Sequence, residues 1–120
     1  MNTTNKTKKI TTEDKVLIAL KLMPVNLIER FAMDCASRAT AYAAKSVHKA
    51  YATYAAQAVS HASSTAYAAS YAAAYAAAYY ASLAATYTAH AASYAARLTA
   101  SAEERELQLK SIAQLIEGNK

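Results

Sequence analysis

The chain has 120 residues, a formal charge of +5 and a hydrophobic fraction of 55%, with one Gly, one Pro, one Cys and ten Tyr. A single Gly excludes glycine-rich phosphate loops; a lone Cys excludes an intramolecular disulfide. Near absence of helix breakers leaves an all-α protein as the expected class, a compact bundle of four to five helices.

The N-terminal stretch, residues 1–10, reads as a disordered basic arm and residues 11–120 as a single helical domain. Thr11 or Thr12 supplies an N-cap, Glu13 and Asp14 sit in the positive first turn, and Val16, Leu17, Leu20 and Met23 form an apolar stripe. Pro24 then opens a second helix, whose inner face carries Leu27, Ile28, Phe31, Cys35 and Tyr42. Asp34 and Arg38, four apart, are placed to pair on its surface.

From Ala39 to Ala100 no strong breaker occurs, and one helix of that length would run about 90 Å. Ser and Thr favour caps over helix interiors, so turns are expected near Lys45-Ser46 and in the run from Ser60 to Thr65. These turns give a third helix from Val47 to Val59 and a fourth from Thr65 toward Leu98. Within it Tyr67, Tyr71, Tyr75 and Tyr79 recur every fourth residue, followed by Tyr80, Tyr87 and Tyr94 every seventh. This spacing lays the rings along one side of a helix while Ala methyls smooth the others, so the Tyr stripe is expected in the core, with Tyr71→Ala or Tyr75→Ala costing roughly 2–4 kcal/mol. Leu83, Ile112 and Leu115 join Phe31 and Cys35 among the residues expected to be buried. The last helix starts at a Ser101 to Glu104 capping box, carries Leu107, Ile112, Leu115 and Ile116 as its apolar stripe, and ends at Gly118.

Reactive groups are scarce. His48, His61 and His90 have no metal-ligand spacing, Cys35 lies on an apolar stripe, and the central helices have no carboxylate. No catalytic, metal or cofactor residue is assigned, and binding without turnover is expected. The N-terminus shows no secretory signal pattern, and the uncharged stretch after Lys49 is too poor in large aliphatics for a membrane span, which points to a cytoplasmic protein. With a sequence pI of about 9.3, basic residues could attract an acidic surface or nucleic acid. The candidate partner-binding set is Arg38, Lys45, Lys49, Tyr51, Tyr54 and Arg97.

The segment Arg30-Phe31-Ala32-Met33-Asp34-Cys35-Ala36-Ser37-Arg38, followed by Ala/Tyr tracts and then Glu104-Arg105-Glu106-Leu107-Gln108 before an Ile/Leu-rich end, resembles a family of bacterial and phage immunity proteins. The resemblance spans Leu27 to Ile116. It departs at Ala39 to Ala44, where the family has a Val-Leu-Pro-like continuation, and at Leu107, where the family commonly has Trp. It implies a small helical protein that neutralises a toxin or a bacterial defence factor by stoichiometric binding. Its motif residues, Phe31, Asp34, Cys35, Arg38, Ser101 and Glu104, read as structural. Two alternatives stand beside it: a basic helical protein that binds nucleic acid or a nucleotide signal, and a self-assembling helical protein, for which the smooth Ala faces suit a homodimer.

Overall fold

Thr11 starts the first helix as the capping rule requires: its Oγ1 accepts from the Asp14 N–H at 3.0 Å, and the Asp14 carboxylate accepts from the Thr11 N–H at 3.4 Å. The computed structural model describes residues 10–45, 49–95 and 100–118, which form α1 (Thr12–Leu22), α2 (Val25–Ala44), α3 (Lys49–Ser70), α4 (Ala74–Ala95) and α5 (Ala100–Gly118). The expected basic arm, apart from Ile10, lies outside these residues. So do His48 and Arg97. Pro24, with φ of −59°, is the N-cap of α2, and its carbonyl accepts from the Leu27 and Ile28 N–H groups. On α2 the 3.6-residue period puts Leu27, Ile28, Phe31, Ala32, Cys35, Ala36 and Ala39 in the interior.

The chain leaves α2 at Lys45, as expected. The second expected break is absent. Ser60 to Thr65 lies inside α3, where the Thr65 hydroxyl donates to the His61 carbonyl at 2.8 Å and Ser60 and Ser63 face solvent. A hydroxyl satisfied within the helix no longer competes with it. The turn comes at Tyr71 to Ala73 instead. The Ala72 N–H donates to the Ala69 carbonyl, the Ala73 N–H donates to the Ala68 carbonyl, and Ala72 adopts φ of 55°. This is a Schellman stop with alanine in the left-handed position that glycine usually takes.

That turn folds α3 and α4 into an αα-hairpin packed through methyl groups. Ala55, Ala58, Ala62 and Ala68 of α3 are buried, as are Ala77, Ala78, Ala81, Ala84, Ala85, Ala89, Ala91 and Ala92 of α4. Because the small faces turn inward, the Tyr stripe expected in the core is outside. Tyr67 and Tyr71 are each 69% exposed, Tyr75 85% and Tyr79 58%. Tyr80 and Tyr87 are half-buried, and so is Leu83, which was expected inside. Helix α4 packs against all four others, while α3 packs on α2 and α4. The large apolar side chains, Val16, Leu20, Leu27, Ile28, Phe31 and Ile112, meet under α1, with Leu115 partly buried against them.

Helix α5 departs most from its expected pattern. Leu107 and Ile116 are exposed, and the buried face is Ala100, Glu104, Arg105, Gln108, Ser111 and Ile112. Ser101 lies within the helix, which begins at Ala100, so it is not the N-cap. Among the described residues no helix is long and apolar enough to cross a membrane.

Candidate functional site

The residues singled out by sequence separate into a buried anchor and an exposed face. Glu104 on α5 has no solvent exposure, and its carboxylate is turned inward instead of capping its own helix. One oxygen accepts from Arg38 Nε at 2.9 Å and from the Tyr42 hydroxyl at 2.6 Å; the other accepts from Arg38 Nη2 at 3.0 Å and from Gln108 Nε2 at 2.8 Å. All four lone-pair directions of the carboxylate are thereby filled. Gln108 Nε2 also donates to the Ala85 carbonyl, while its Oε1 accepts from Arg105, whose other arm donates to Thr86 Oγ1. Every buried side-chain nitrogen and oxygen among the described residues has a hydrogen-bond partner. Asp34 does not take the expected Arg38 partner and instead accepts from Ser111 Oγ at 3.2 Å.

The electrostatics follow from this enclosure. Burial alone would lower the Arg38 pKa, but the hydrogen bonds and charge of Glu104 outweigh it and leave the value raised. Burial raises the Tyr42 hydroxyl, reinforced by its hydrogen bond to Glu104. Arg105 is lowered by burial, with Glu13 opposing. Burial also drives the Cys35 thiol far above its ordinary value, so it stays protonated and offers no thiolate nucleophile.

The described members of the candidate partner-binding set have different surroundings, and Arg97 lies outside the described residues. Arg38 is committed to the anchor. Lys45 is exposed at the end of α2, and Lys49 and Tyr51 stand in the first turn of α3. Tyr54 belongs to a row of rings between α3 and α4. His61 stacks on Tyr80 at 6.4 Å and on Tyr87 at 5.3 Å, and Tyr54 lies 6.3 Å from Tyr87 and 5.3 Å from His90. Among the described residues no three His, Cys, Asp or Glu side chains converge as metal ligands.

The exposed tyrosines make the surface that sequence reasoning missed. Tyr75 and Tyr79 on α4, with Leu17 and Lys21 on α1 and Ala78 and Ser82 on the groove floor, line a hollow of about 230 Å³. Tyr67 and Tyr71 stand at the end of α3 in edge contact, centroids 5.1 Å apart. A signal was available. A buried Tyr hydroxyl needs a partner, and the near neighbours of these tyrosines are largely alanine, which offers none. A larger hollow of about 670 Å³ lies where the first turns of α1 and α5 meet α4, but its cation, Arg105, is already bonded to Gln108 and Thr86.

Comparison of the chain with protein-family models, with characterised proteins and with solved structures yields no match.

Proposed function

We propose that this chain is a non-enzymatic binding protein that neutralises a partner protein stoichiometrically, as an immunity protein or a phage-encoded inhibitor of a bacterial defence factor does, and that it works in the bacterial cytoplasm. The observation that carries the reading is the pair Tyr75 and Tyr79, exposed at the α1–α4 groove with Lys21 as the one charge among its described lining residues. Tyr suits such a surface because it brings a large rigid ring and a hydroxyl at little entropic cost, and it is enriched among the residues that dominate interfaces. The groove matches an apolar side chain flanked by a carboxylate. The nucleic-acid alternative draws less support, since Arg38 and Arg105 already donate to Glu104, Gln108 and Thr86 within the fold.

The test compares the parent chain with a Tyr75→Ala/Tyr79→Ala variant as bait in a bacterial lysate, then titrates the purified partner. A protein retained by the parent should bind the variant at least roughly 30-fold more weakly, given about 2 kcal/mol for a hot-spot ring. Inhibition should plateau at a fixed molar ratio and leave the partner's mass unchanged. Equal binding by the variant, or covalent alteration of the partner at sub-stoichiometric amounts, overturns the reading.

A further inference from the structure

Helix α3 has two sides occupied, by α2 and α4, and one side open. The exposed residues Ala52, Thr53, Ala56, Val59, Ser60, Ser63, Tyr67 and Ser70 fall on one side of the helix at its 3.6-residue period and so form a single stripe, which Tyr71 continues into the turn. No Asp, Glu, Lys or Arg occurs in α3 after its first residue, Lys49. The stripe is graded: mainly alanines at its N-terminal end, Val59 with serines in the middle, and two tyrosines, each 69% exposed, at its C-terminal end.

We propose that this stripe is the contact surface of a homodimer, covered by the α3 of a second copy running antiparallel. The stripe is self-complementary in one register. A two-fold axis passing between His61 and Ala62 sets Tyr67 over Ala56 of the second copy, Tyr71 over its Ala52, and Ser63 against its Ser60. Large meets small at both ends and hydroxyl meets hydroxyl at the centre. A shift of one turn puts Tyr67 over Ser60 in one direction; in the other it moves Tyr67 over Ala52 and carries Tyr71 past the end of the stripe. Ser60 and Ser63 beside the axis are small enough to bring the two helices close, with Val59 packing at the edge of the contact, so the rings reach across to the facing methyl groups.

Charge and area both favour this occupant. Two copies that each carry +5 repel, so an isologous contact is best placed where neither contributes a charge, and the α3 stripe meets that condition along its whole length. From Ala52 to Tyr71 the contact runs about 29 Å along the helix. The four rings bring on the order of 500 Å² of exposed surface. Together with the small-residue turns between them, this reaches the roughly 1,000 Å² expected of a specific interface. The face is separate from the Tyr75–Tyr79 groove, and dimerisation stands or falls independently of the partner proposed above.

Sedimentation equilibrium of the full chain across roughly 1–100 µM is the first measurement. The expected result is a species of twice the 12.8 kDa chain mass. Ala56→Arg keeps a good helix former on an exposed position and so should fold, but it places an unpaired cation under Tyr67 of the second copy. It should weaken the dimer on the order of 100-fold or more. The Tyr75→Ala/Tyr79→Ala variant should dimerise like the parent. Register is read by oxidising a mixture of an Ala56→Cys chain and a Tyr67→Cys chain, in which the buried Cys35 is silent. The mixture should form a crosslinked heterodimer, whereas Ala56→Cys alone should not, since its two copies would lie about 16 Å apart along the helix. A chain that is monomeric throughout the range overturns the proposal and leaves the face to a different protein. A dimer that survives Ala56→Arg, that depends on Tyr75 and Tyr79, or whose Ala56→Cys and Tyr67→Cys chains fail to crosslink to each other also overturns it.

Discussion

The α3–α4 hairpin and the seat of α5 answer the same packing problem with opposite residues. In the hairpin, alanine methyls are inside and the largest rings are outside; at α5, a glutamate, an arginine and a glutamine are inside while Leu107 and Ile116 are outside. Each buried methyl contributes only roughly 0.8 kcal/mol, so the hairpin depends on many small and nearly interchangeable contacts. The α5 seat depends on one carboxylate with four hydrogen bonds, all of which fail together. A buried ion pair contributes little net stability compared with a well-packed apolar core, yet here it ties α5 to α2 at one point, since Arg38 and Tyr42 of α2 both donate to the Glu104 carboxylate.

Three substitutions sharpen this contrast, starting with the largest effect. Glu104→Ala leaves Arg38 without its partner carboxylate and Tyr42 without its acceptor, and should cost about 3–5 kcal/mol in urea denaturation. A loss below about 1 kcal/mol would show that α5 is held by Ile112 and its neighbours instead. In the hairpin, Ala72→Gly should stabilise the protein by about 0.5–1 kcal/mol, because relief of the left-handed strain exceeds the added freedom of the unfolded chain. If the midpoint falls instead, the turn does not hold the φ of 55° that defines it. Tyr71→Ala and Tyr75→Ala should each stay within about 0.5 kcal/mol of the parent at concentrations where the chain is monomeric. A cost of about 2 kcal/mol or more, as a core position would give, would return the rings to the interior and erase the difference between the two regions.

Legibility followed the same divide. The Thr11 box, Pro24 and the α2 stripe from Leu27 to Cys35 were readable because each depends on neighbours within one or two turns. The hairpin turn was not. Ala72 carries no sign that it will take a position usually given to glycine, and alanine on every side of the helix removes the contrast that tells an inner face from an outer one. Ser101 and Glu104 fit a capping box in sequence, but Glu104 finds Arg38 and Tyr42 across a separation of 66 and 62 residues, which local spacing cannot show. The Arg38 pairing with Glu104 was hidden for the same reason. Tyr75 and Tyr79 were visible as a pattern but assigned to the wrong side.

The placement of the tyrosines also decides what light can report. The chain has no Trp, and every Tyr except Tyr42 lies between Tyr51 and Tyr94, within the α3–α4 hairpin. Near-ultraviolet absorbance and emission therefore come almost wholly from the hairpin, whereas peptide dichroism at shorter wavelengths samples all five helices. The two signals observe different parts of one molecule, and their coincidence or separation during unfolding tells directly whether α1 and α5 leave together with the hairpin or before it.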